Sequence, residues 1–159
     1  MKARRTAGGF TIAELITVIA IIGILAAMVV PTARFTLQRQ KEVELREKIR
    51  RITDAIDRYH DLRLGGQIKD PPEMTQGEYP KDFEELLEGV ELIDGKTVRF
   101  LRERDLIDPM TKRDNWVTLS TTDDPDSSSA FGGDGNNLFD IRSASTRMSL
   151  DGKTRYNEW

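Results

Sequence analysis

Gly8-Gly9-Phe10-Thr11-Ile12-Ala13-Glu14-Leu15 joins a short basic leader to a long apolar run that carries a single carboxylate. From Phe10 to Val30 the only polar side chains are Thr11, Glu14 and Thr17. As a helix at ~1.5 Å per residue, this stretch covers roughly 30 Å, the thickness of a bilayer's hydrocarbon core. Glu14 is the exception. An acid deep in hydrocarbon is costly, so intramembrane carboxylates are usually partnered and often functional. A purely structural reading stands beside that one, because near a helix start the macrodipole and headgroup water make a carboxylate tolerable.

Working outward, Lys2, Arg4 and Arg5 precede the run. By the positive-inside rule they stay cytoplasmic and send the C-terminus across the membrane. A secretory signal peptide has a shorter apolar core followed by a small-residue cleavage site; here the run is longer, although Ala26-Ala27 could serve as a conventional site for such a cut. Pro31 follows and predicts a kink, since it removes a helix hydrogen bond and clashes with the preceding turn. The helix itself continues. From Thr32 to Leu64 there is no Gly or Pro, and Leu45, Ile49, Ile52, Ile56 and Tyr59 recur on one helical face. Glu42-Arg46, Glu44-Lys48, Glu47-Arg51 and Asp54-Arg58 stand at i,i+4 with the acid first, which reads as a solvated face. One helix of roughly 50 to 55 residues results, about 80 Å long.

Gly65-Gly66 end the helix, and Asp70-Pro71-Pro72 begin an irregular connection. Pro80 to Gly89 reads as a short helix with Pro near its first turn. Thr97 to Leu101, Trp116 to Ser120 and Leu138 to Arg142 have strand composition, whereas 123–137 reads as an acidic loop. The expected fold is α+β: a long N-terminal helix, with a transmembrane half (10–30) and an amphipathic half (31–64), packed on a small antiparallel β head (65–159). The Asp151-Gly152 turn, Tyr156 and Trp159 are expected to pack back on the head.

Composition narrows the chemistry. The 159 residues contain no cysteine, which excludes disulfides, a thiolate nucleophile and Cys-ligated zinc. Residues 1–63 hold 12 Lys/Arg and 7 Asp/Glu, and residues 64–159 hold 12 and 20, so the head is acidic and nucleic acid is not an expected partner. The single histidine, His60, reads as a surface residue rather than a triad member. Asp123, Asp124, Asp126 and Asp134 do not follow EF-hand spacing, and Gly132-Gly133-Asp134-Gly135 lacks the Lys-Ser/Thr of a phosphate loop. No enzyme is expected.

Gly9, Phe10, Thr11, Glu14 and Pro31 together resemble the class III signal and helix of the type IV pilin superfamily. The resemblance covers roughly the first third of the chain. It implies cleavage of leader 1–9 between Gly9 and Phe10 by a prepilin peptidase, N-methylation of Phe10, and a salt bridge from Glu14 to the Phe10 amine of a neighbouring subunit. A second resemblance, to the major pseudopilin (G class) of type II secretion, rests on Tyr79-Pro80, the Leu-rich helix after it and Leu106-Ile107-Asp108-Pro109. It extends through Phe139-Asp140-Ile141-Arg142-Ser143-Ala144-Ser145, Leu150-Asp151-Gly152, Tyr156 and Trp159. Met110 departs from it, standing where the family usually has Trp-Gly. The resemblance implies a structural subunit of a homo-oligomeric periplasmic filament that drives protein export, held in the inner membrane as a single-pass protein. Its partners would be an inner-membrane assembly platform and minor pseudopilins. No cofactor follows from the residues themselves; many members carry an acidic calcium loop near the tail, but Arg147, Lys153 and Arg155 displace those acids here and leave Ser143 and Asp151 as candidate oxygen donors. The rival readings are a type IV pilin or minor pilin-like subunit of a related filament and, from another class, a signal-anchored periplasmic binding module.

Overall fold

The computed structural model describes residues 9–69, 78–123 and 136–159. The leader before Gly9, the Asp70-Pro71-Pro72 connection, most of loop 123–137 with its glycine-rich run, and the Pro31 side chain expected to kink the helix lie outside the described residues. The chain divides into two compact units, Met1–Gln38 and Arg39–Trp159.

Helix α1, Ile12–Leu64, runs from the first unit into the second. In the first unit every side chain from Phe10 to Val29 is exposed, and the helix is long and apolar enough to cross a membrane. Its hydroxyls need no outside partner: Thr17 Oγ1 donates to the Ala13 carbonyl at 2.8 Å, Thr32 Oγ1 to Met28 at 3.1 Å and Thr36 Oγ1 to Thr32 at 3.0 Å. Internal satisfaction of polar groups is what hydrocarbon demands of a spanning helix.

In the second unit the expected apolar face of α1 is the spine of the core. Leu45, Ile52, Ala55, Ile56 and Tyr59 are buried, with Ile49 partly so. Left-handed Gly66 (φ 61°) turns the chain back, and the Gln67 N–H closes on the Leu62 carbonyl at 3.0 Å. The short helix α2, Phe83–Glu88, is tighter than expected. Asp82, not Pro80, sets its start, because the Asp82 carboxylate caps the Glu84 and Glu85 amides at 2.9 and 3.2 Å. Leu86 anchors α2 in the core. Gly89 ends it at φ 86°, where an added Cβ would lie 2.3 Å from the Val98 carbonyl oxygen, so only glycine fits.

Among the described residues four short strands follow: β1 Val90–Glu91, β2 Thr97–Val98, β3 Val117–Leu119 and β4 Asp140–Arg142. They form two separate antiparallel pairs, β1·β2 and β3·β4, where the sequence suggested one sheet. The expected strand at 97–101 stops at Val98 for a local reason. The Phe100 and Leu101 amides both turn to the Leu86 carbonyl, at 3.0 Å each, and so leave the ladder. Trp116, Leu138, Ile141 and Tyr156 close the core from the other side, and Tyr156 meets Trp159 edge-on at 5.2 Å. The class is α+β, with the tail packed back on the head as expected.

Candidate functional site: the helix start and the charged stem

Gly9, Phe10 and Thr11 precede the helix, and Phe10 is 88% exposed. Thr11 is the N-cap of α1. Its Oγ1 accepts the Glu14 N–H at 3.2 Å, and Glu14 Oε2 accepts the Thr11 N–H at 3.1 Å and the Thr11 hydroxyl at 3.2 Å. Two of the amides that a helix start leaves unpaired are thereby satisfied reciprocally, as in a capping box. Among the described residues no cation pairs with Glu14. Sequence reading missed Thr11 as its partner, although Thr-x-x-Glu before an apolar run was the available signal. Gly9 has open space where a Cβ would sit and no left-handed φ, so the chain's own conformation does not require glycine there.

The stem corrects one expectation. Of the four i,i+4 pairs only Glu44–Lys48 closes, at 4.0 Å. Four of the charges that read as solvated, Glu42, Arg46, Lys48 and Arg51, are committed to the head. Glu42 Oε1 accepts the Leu150 N–H at 2.7 Å and the Tyr156 hydroxyl at 2.8 Å. Lys48 Nζ donates to the Arg104 and Ile107 carbonyls at 3.0 and 2.7 Å. Arg51 pairs with Asp105 at 2.8 Å, and the Arg46 guanidinium lies 4.4 Å above the Trp159 ring. Burial is the largest single influence on the Asp105 carboxyl and works to raise its pKa. The Arg51 hydrogen bond, the Arg102 amide and the nearby Arg charges together outweigh it and hold the pKa below 3.8.

The remaining candidates make local contacts within the second unit. His60 stacks on Tyr79 with ring centroids 4.3 Å apart, and its Nε2 lies 3.4 Å from Glu78 Oε2. Ser143 is fully buried and donates to Asp108 Oδ2 at 2.6 Å, while Asp108 Oδ1 accepts the Met110 N–H at 2.7 Å. Asp108-Pro109-Met110 is thus a carboxylate-stapled turn in the core. Asp151 is exposed; the Ser149 hydroxyl, then the Lys153 amide, hold its pKa below the ordinary value. Ser143 and Asp151 belong to separate hydrogen-bond sets, and no group of three or more His, Cys, Asp or Glu among the described residues is placed to hold a metal ion.

No protein-family model, curated protein or solved structure gives a match to this chain.

Proposed function

We propose that this chain is a pilin-like filament subunit, most similar to a major pseudopilin of type II secretion. It is made with a leader, stored in the inner membrane by residues 10–30, and stacked through its helix into a periplasmic filament that drives protein export. The assembly platform, minor pseudopilins and a prepilin peptidase are its expected partners. The observation that carries this reading is Glu14, the only charge among the exposed residues Phe10 to Val29 and the fifth residue after a candidate cut.

Gly9 supports it from the other side. Nothing in the fold calls for glycine at that position, so its requirement lies with whatever recognises the scissile bond. In the stored subunit Thr11 satisfies Glu14 locally. Leader removal at Gly9 creates the Phe10 amine, a charged donor that two neutral Thr11 contacts cannot match once helices stack away from water. At 4 Å and an effective dielectric of 20 such a pair is worth about 4 kcal/mol before desolvation costs. Glu14→Val is therefore expected to lose its leader normally yet yield no sedimentable filament. Wild-type amounts of filament from that variant would refute the assembly role. Gly9→Leu is expected to keep the leader attached, visible as an uncut chain by intact mass.

One observation favours the signal-anchored binding module as a second reading: the capping box satisfies Glu14 without any neighbour. That module never polymerises, and it retains Met1 to Gly9 or is cut after Ala27. A type IV pilin would differ in phenotype, its deletion removing surface pili rather than secreted enzymes.

A further inference from the structure

Between Gly9 and Gln38 two side chains are charged, Glu14 and Arg34, and no histidine lies among them. They stand twenty positions apart on the continuous helix α1. At ~1.5 Å per residue that separation is about 30 Å, the thickness of a bilayer's hydrocarbon core. The usual helix tilt of about 20° shortens it only to about 28 Å. The charges thus lie where the two faces of one bilayer would fall.

Nothing forces the hydrocarbon to end at Val30, where the uninterrupted apolar run stops. Proline is tolerated inside spanning helices, the Thr32 hydroxyl is already bonded to the Met28 carbonyl at 3.1 Å, and Ala33 is apolar. Arg34 does set a limit. Its side chain is exposed, and no Asp or Glu lies within four residues on either side to neutralise it along the helix. A guanidinium is costly in hydrocarbon, whereas its planar fork of donors matches phosphate oxygens, so the phosphates of lipid headgroups are its natural partner at this depth. Phe35 and Leu37, 55% and 59% exposed, keep apolar surface at the same level and oppose withdrawal of the helix into water. At the other end the Thr11 cap holds Glu14 at the helix start. The Gly9-Phe10 bond precedes the helix and so lies on the aqueous side of Glu14.

We propose that Glu14 and Arg34 mark the two headgroup layers of a phospholipid bilayer, with Arg34 on lipid phosphate at the face away from the leader. The hydrocarbon then holds residues 15–33, centred on Ile24, where the apolar run alone would centre it on Ala20. This rests on the membrane-stored part of the reading above and is independent of the filament. Its test uses the absence of cysteine. Full-length chain carrying either Ala20→Cys or Met28→Cys is spin-labelled in phospholipid vesicles, and label depth is read from collisions with oxygen and with a water-soluble nickel complex. Ala20 and Met28 lie four residues either side of Ile24, so equal depths are expected. A span of 10–30 would instead leave Met28 about 12 Å shallower than Ala20. Arg34→Leu moves the limit to the next cation, Arg39, and should make Met28 about 4 Å deeper and Ala20 about 4 Å shallower. Arg34→Lys should restore equality, and Glu14→Leu should shift the depths the opposite way. A Met28 label much shallower than Ala20, or depths that Arg34→Leu does not move, would overturn the bracket and leave membrane storage standing. If neither label is shielded from the nickel complex, the helix does not insert, and membrane storage fails together with the bracket.

Discussion

Two stretches of the same helix obey opposite rules. Ile12–Val29 is almost wholly apolar and buries nothing within the chain, whereas Glu42–Leu64 is heavily charged and supplies the spine of the core. The difference shows that apolar content marks where a helix needs a partner, while periodicity marks whether that partner is the chain itself. The first stretch is apolar nearly all round and is long enough to cross a membrane. The second confines its apolar residues to one stripe and bends its charges to the head's backbone and tail.

That contrast predicts unequal costs for equal substitutions. Ile52→Ala should destabilise the second unit by about 2–5 kcal/mol, because Ile52 is fully buried. Ile19→Ala, at a position 60% exposed, should leave the unfolding midpoint of that unit unchanged. Thermal unfolding of both variants decides it, and a matching loss at Ile19 would break the contrast.

Asp105→Asn comes next, at about 1–3 kcal/mol, through loss of the charged partner of Arg51. The sign of its pH dependence follows from the direction of the shift. The folded carboxyl titrates below its ordinary value of 3.8, so its stabilising contribution is present above that value and is lost as pH falls through the lowered one. Wild type should therefore lose stability across acid pH more steeply than Asp105→Asn. Parallel curves would remove the pair from the account.

Glu42→Gln should cost less, about 0.5–1.5 kcal/mol, since a carbonyl oxygen still accepts from Leu150 and Tyr156. Glu44→Gln should fall within about 0.5 kcal/mol, because its 4.0 Å pair with Lys48 is exposed on the Glu44 side. A Glu44 effect larger than that of Glu42 would mean that the stem is held by its own i,i+4 pairs after all.

These stem contacts are also where sequence reading ran out. The buried stripe Leu45–Ile52–Ile56–Tyr59 was legible because helix period is local, and the Gly65-Gly66 stop because glycine is a local signal. The partners of Glu42, Lys48 and Arg51 lie 54 to 114 residues away, where no spacing rule reaches. Strand β1 was missed because two residues carry too little pattern to register. One sheet was expected where two pairs exist, since pairing partners are chosen by the packed core. At the helix start, Glu14 was legible as an anomaly and Thr11 as its local partner was not, although the capping pattern was in plain sequence.

The central claim is that the Phe10 amine is exposed by leader removal to meet Glu14. Intact mass of the chain extracted from its native membrane tests it most directly. The account predicts a chain beginning at N-methylated Phe10; a chain beginning at Met1, or at Met28 after a cut behind Ala27, would contradict it.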